Sequence, residues 1–257
     1  MGVGLPIGGG IGGLVLLLLF SALTGQNPAD LINSSPDESV GTTGAKTDDP
    51  QTQFVSVVLA DTEETWSQIF EEQGRQYDPP VLVLFSGATQ SACGLGQSAM
   101  GPFYCPPDRK VYLDLSFFRE LDHRFGAPGD FAQAYVIAHE IGHHVQNLIG
   151  VMARSQSMAR GGNTNEISVR QELQADCLAG TWGHFAARRG LLEPGDAEEG
   201  LRAAAAIGDD RLQQQSQGRV AQESFTHGSS EQRMTWLRRG MDAGRLDACD
   251  TFRNAGD

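Results

Sequence analysis

Apolar and polar positions divide this chain into three regions. From Gly2 to Ala29 no side chain is charged, and Ile11 to Leu23 is almost continuously apolar. With Val3 to Gly10 included, the run is long enough to cross a bilayer. No clean A-x-A cleavage site follows it, so an uncleaved anchor over residues 1–26 is preferred to a cleaved signal or a buried core helix. No Lys or Arg precedes the run, so charge gives no orientation. Residues 27–53 are rich in Ser, Thr, Asp, Gly and Pro, which reads as a flexible linker. Residues 54–257 then show the periodicities of one folded domain.

Within that domain, Val57, Val58, Trp66, Ile69 and Phe70 recur at helical spacing and predict a helix from Phe54 to Gln76, stopped by Pro79-Pro80. Val81–Phe85 reads as a short buried strand, Cys93–Pro107 as a Gly- and Pro-rich loop or hairpin, and Val111–Leu115 as a second strand. Ser116 is expected to cap a short helix to about Phe125. A long helix is predicted from Asp130 to about Leu148, and a polar, flexible connection over Met152–Asn165. A further helix covers about Ile167–Arg188, and two or more follow between Pro194 and Ala243. Strands first and helices after is an α+β pattern.

Charge narrows the partners. The 257 residues carry 19 basic and 32 acidic side chains, a net −13. The linker holds −4 of this and the folded part −9. No basic surface is available for phosphates, so nucleic acid is excluded as the expected partner. Gly 32, Pro 11 and 40% hydrophobic residues exclude a collagen-like or wholly disordered chain.

The chemistry lies in Ala138-His139-Glu140-Ile141-Gly142-His143-His144. Spacing i, i+4 places His139 and His143 one turn apart on one helix face, where both imidazoles reach one metal. The stripe Phe131, Ala134, Tyr135, Ala138, Ile141, Val145 and Leu148 holds the helix to the core. Glu140 stands beside the ligands, placed to act on water rather than to ligate. His144 points away and reads as structural, and His123 carries no motif.

A catalytic zinc site needs a third protein ligand. Six residues after His143 stands Ile149, so a third histidine at that spacing is ruled out. Glu172 and Asp176, four apart on the next long helix, supply the alternative. Glu172 ligates, and Asp176 accepts the free ring N–H of His139, setting its tautomer. Glu166 and His184 are weaker candidates for the third ligand. A cysteine zinc site is disfavoured because no C-x2-4-C pair exists.

These stretches, together with Gly101–Pro106, Val111–Phe118, Phe225–Arg233 and Cys249–Phe252, resemble the neutral zinc metallopeptidase family of bacteria, a gluzincin-type group within the zincins. The resemblance covers nearly all of the domain after Val81. It implies a zincin-like metallopeptidase domain, mostly helical with a small sheet, after an N-terminal transmembrane helix. It also implies one zinc ion per chain and a peptide or protein substrate.

The expected reaction is hydrolysis of peptide bonds: zinc acidifies a water, and Glu140 takes its proton and later delivers it to the leaving amine. Thr226-His227-Gly228 resembles the Thr-His-Pro-type motif that follows the third ligand in other membrane-associated gluzincins. That makes His227 a candidate oxyanion donor, with Arg233 one turn further on to position His227 or substrate. Val111–Leu115 is a candidate edge for pairing with an extended substrate, or plain core. Four cysteines allow three pairings; Cys93–Cys105 and Cys177–Cys249 are expected. Disulfides imply an oxidising compartment, which agrees with what the resemblance implies: a single-pass protein of the bacterial cell membrane with its domain outside. The alternative function is a non-catalytic, zinc-dependent binding or assembly factor on the same scaffold, and a third is a metallo-hydrolase acting on a non-peptide bond.

Overall fold

A computed structural model of the protein describes residues 49–253, and the apolar run expected to form an anchor lies outside them. Among the described residues no helix is long and apolar enough to cross a membrane. Helix α1 (Pro50–Glu72) starts inside the segment read as linker. Asp49 caps it by accepting from Thr52 N at 3.0 Å, and Pro50 occupies the first turn, where a missing N–H costs nothing. Its buried face carries Val55, Trp66, Ile69 and Phe70.

Five short strands follow: β1 (Val81–Phe85), β2 (Ala88–Ser91), β3 (Gly94–Gln97), β4 (Phe103–Cys105) and β5 (Lys110–Asp114). They form a three-stranded sheet in the order β1-β5-β4 and a separate β2-β3 hairpin. β5 runs parallel to β1, with Leu82 opposite Val111, and antiparallel to β4, with Tyr104 opposite Val111. The strand expected to offer an open edge is therefore the central one. Val111, Tyr112 and Leu113 are almost fully buried, and both backbone edges are already paired. Of the two readings for Val111–Leu115, plain core is the one observed. The Cys93–Cys105 disulfide ties the hairpin to β4.

Helix α2 (Ser116–His123) is not capped by Ser116, which is its first residue: Leu115 holds the cap position, and Asp114 Oδ1 accepts from Ser116 N at 2.8 Å. The other helices are α3 (Asp130–Leu148), α4 (Val151–Ala159), α5 (Thr164–Arg188), α6 (Asp196–Ala206), α7 (Asp209–Gln217) and α8 (Ser230–Ala243). Helix α4 and the first turn of α5 replace the expected flexible connection. Its polar face is exposed, while Ser155 is buried and Met152 packs on the core, so the apolar signal is too sparse to read as periodic. The described part is mostly helical with a small sheet, an α+β arrangement.

Two close approaches bring the functional helices together. A Cβ on Gly142 of α3 would lie 2.9 Å from the Ala175 carbonyl oxygen of α5, so only glycine permits this crossing. Gly180 of α5 and Gly240 of α8 meet the same way, each facing backbone of the other helix. Helix α1 is fastened to the end of α5 by Asp61, which accepts from Arg189 at 2.7 and 2.8 Å and from the Trp182 indole N–H at 2.7 Å.

Candidate metal centre

His139 and His143 project from α3 with ring centroids 4.8 Å apart and planes at 89°. Opposite them, Glu172 of α5 places one carboxylate oxygen before each imidazole. Oε2 lies 3.1 Å from His139 Nε2, and Oε1 lies 3.5 Å from His143 Nε2. One donor atom from each of the three residues falls within a common 4.8 Å, and the two histidines are buried.

The outer ring nitrogens explain why these faces converge. His139 Nδ1 donates to Asp176 Oδ1 at 2.8 Å, and His143 Nδ1 donates to Gln146 Oε1 at 2.9 Å. With the Nδ1 protons committed, the neutral tautomers turn unprotonated Nε2 atoms toward a carboxylate. Two lone pairs facing an anion repel unless a proton or a metal cation lies between them. Two imidazoles and one carboxylate are a donor set suited to zinc, with a further position left for water or substrate. The residues fit the metal.

Without metal, protons take that place. Burial opposes a cationic His139, but the charge and hydrogen bonds of Asp176 and Glu172 outweigh it and push the imidazole up to about 10. His143 is raised in the same way, mainly by Glu172 working against burial. Burial raises Glu172, yet the facing histidines hold it well below the usual carboxylate range. Glu140 goes the other way: its carboxyl is raised by burial, which the two histidines only partly offset.

Asp176 is fully buried, and its Oδ1 accepts from His139, from the Tyr135 hydroxyl at 2.6 Å and from Arg233 Nη2 at 3.0 Å. Its Oδ2 accepts from Arg233 Nε at 2.9 Å. Despite burial, the Arg233 charge and these bonds hold Asp176 at about 2. Arg233 therefore serves Asp176, rather than His227 or substrate as the sequence suggests, and Tyr135 belongs to this network rather than only to the apolar stripe. Tyr135 stands four residues before His139, on the same helix face, and that spacing was the available signal.

His227 sits on the loop before α8. Asp209 organises that loop, its Oδ2 accepting from the backbone N–H groups of Thr226, His227 and Gly228 at 2.7, 2.7 and 3.1 Å. Asp209 Oδ1 also lies 3.3 Å from His227 Nδ1. Gly228, at φ 97°, faces Leu173, so the loop lies against α5 beside Glu172. Burial works against the His227 cation, but Asp209 and the Glu172 charge raise its pKa. Nothing in the sequence marks Asp209, an acidic residue at an ordinary helix start.

The remaining candidates separate clearly. Glu166 pairs with Arg170 at the surface, and His184 Nδ1 donates to the Met241 carbonyl at 2.8 Å. His144 is structural: Nε2 donates to the Asp78 carbonyl at 2.6 Å, and Nδ1 accepts from the Tyr104 hydroxyl at 3.0 Å. Cys177 and Cys249 form a second disulfide, as expected, tying α5 to the C-terminal segment.

Over residues 1–252 the chain matches the family described as "Putative neutral zinc metallopeptidase". It belongs to that family. Among its relatives, "Uncharacterized protein YpfJ" of Escherichia coli (strain K12) is 50% identical over 258 residues, 98% of this chain and 90% of its own length. "Uncharacterized protein Rv2575" of Mycobacterium tuberculosis (strain ATCC 25618 / H37Rv) is 47% identical over 190 residues, 70% of this chain and 64% of that protein. No solved structure matches. Family membership points to a hydrolase and to Zn2+, in keeping with the His139, His143 and Glu172 group.

Proposed function

We propose that this family member is a zinc-dependent endopeptidase in which His139, His143 and Glu172 hold one zinc ion. The supporting observation is the convergence of two Nε2 atoms on the partly buried Glu172 carboxylate, with the buried Glu140 alongside. When bound, zinc supplies Lewis-acid chemistry, polarising a carbonyl and acidifying a water toward neutrality.

Glu140 is the general base and acid. Burial raises its carboxyl toward the range where one group both accepts and returns a proton. It accepts the proton of the attacking water and delivers it to the leaving amine. Asp176 keeps His139 in the Nδ1–H tautomer. His227, held at Nδ1 by Asp209, presents its other ring nitrogen to the substrate oxyanion as a hydrogen-bond donor.

The substrate is a peptide or protein segment. The chain is anchored in a bacterial membrane by residues 1–26 with the catalytic domain outside. Support comes from the apolar Ile11–Leu23 run and from two disulfides, which persist in an oxidising compartment.

The test is hydrolysis of an unfolded protein substrate by the wild type and by Glu140→Gln at equal zinc content. The base role requires Glu140→Gln to lose most activity. Equal behaviour, with zinc retained in both, favours a non-catalytic zinc-dependent binder instead.

A further inference from the structure

The two histidines are supported by different chemistry. His139 leans on a carboxylate, whereas His143 leans on an uncharged amide, and that amide begins a chain. Gln146 is fully buried, three residues beyond His143 on α3. Its Nε2 donates to the Gln171 carbonyl at 2.7 Å and to Gln174 Oε1 at 3.0 Å. Both amide protons are thus committed, and Oε1 is left to face His143 Nδ1 at 2.9 Å. Gln174 in turn donates to the Cys249 carbonyl at 2.9 Å. Cys249 is bonded to Cys177, three residues beyond Gln174 on α5.

Every bond in this series runs one way: His143 Nδ1–H to Gln146, Gln146 to Gln174, Gln174 to the Cys249 carbonyl. Reversing the Gln146 amide would set its NH2 against His143 Nδ1–H and turn its oxygen toward the Gln171 carbonyl. The series ends on a segment held by the disulfide and by two bonds between Arg170 and Thr251, of 2.7 and 2.6 Å.

We infer that Gln146 is the positioning residue for His143, and that Gln174 and the Cys177–Cys249 disulfide set zinc affinity through it. This rests on the ligand set proposed above, with Gln146 and Gln174 acting only through His143. A buried glutamine whose role is packing alone has no influence on the imidazole tautomer. One that positions the ligand fixes it.

The test is a zinc competition titration of the full chain against a chromophoric chelator, paired with 15N spectra of the His143 ring in zinc-free protein at a pH high enough for that ring to be neutral. Gln146→Leu, close in shape but without an acceptor, is expected to weaken zinc binding about 10–100-fold. It should also abolish the fixed Nδ1–H state of His143. Gln146→Glu, which keeps an acceptor but sets a second oxygen against the Gln171 carbonyl, should keep the Nδ1–H state and recover part of the affinity. Gln174→Leu and reduction of the disulfide should each give a smaller loss in the same direction. Wild-type affinity together with an unchanged His143 tautomer in Gln146→Leu overturns the inference; should that variant not fold, Gln174→Leu is judged by the same two readouts. Glu172→Ala separates the failures. If it binds zinc like the wild type, the ligand set itself is wrong. If it loses zinc while Gln146→Leu does not, only the positioning role falls.

Discussion

Asp176 Oδ1 lies 2.8 Å from His139 Nδ1, with the guanidinium of Arg233 on its other side. One buried carboxylate thus orients a candidate ligand and is itself kept ionised by a buried cation. Removing either charge strands the other. Arg233→Met is expected to cost about 3–5 kcal/mol of stability, the usual penalty for an unpaired buried charge, and Tyr135→Phe about 1 kcal/mol for one hydrogen bond. Urea denaturation of the two variants checks the order.

The same carboxylate gives the fold an acid limit. Its pKa is about 2 in the folded protein against an ordinary 3.8, so its contribution is complete above 3.8 and disappears as the pH falls through about 2. The difference is worth about 2 kcal/mol. Stability measured between pH 5 and pH 2 should fall more steeply in the wild type than in Asp176→Asn.

Zinc and protons should compete. Without metal, His139 is raised to about 10, so the stability its proton adds is full below 6.5 and is lost as the pH rises through 10. At neutral pH zinc must displace that proton. Zinc binding near pH 7.5 should therefore release protons into a weakly buffered indicator solution, and affinity should drop as the pH is lowered. Binding without proton release would contradict this.

The two disulfides should differ in worth. Cys177–Cys249 spans 72 residues and Cys93–Cys105 spans 12. Loop-closure entropy then assigns about 4 kcal/mol to the first and about 3 kcal/mol to the second. Thermal melts of the two double Cys→Ser variants should follow that order.

Helix contact leaves little slack at Gly142. Its Cβ position is 2.9 Å from the Ala175 carbonyl oxygen, a backbone atom that cannot swing aside. Gly142→Val should force α3 and α5 apart, costing about 1–3 kcal/mol and weakening zinc binding by separating the histidines from Glu172. Calorimetry of unfolding and of zinc binding measures both effects.

Spacing made the centre legible. His139, Glu140 and His143 share a helix whose apolar stripe shows where it is buried, and Glu172 and Asp176 repeat the one-turn interval on a second helix. What spacing does not show is which helix comes to meet them. Arg233, Asp209 and Gln174 reach the site through tertiary contacts 57, 18 and 28 residues distant; Arg233 stands out in the sequence but its partner does not, and Asp209 and Gln174 sit at unremarkable positions along the chain. The sequence leaves the place of β5 open for a related reason: a short apolar strand reads the same at the edge and at the centre of a sheet, and only the partner strands decide.

The most direct measurement is the zinc stoichiometry of the full chain after dialysis, for the wild type, His143→Ala and Glu172→Ala, with folding checked by circular dichroism. The ligand set predicts one zinc per wild-type chain and little in either folded variant. Near-stoichiometric zinc in Glu172→Ala, or none in the wild type at micromolar free zinc, would contradict it.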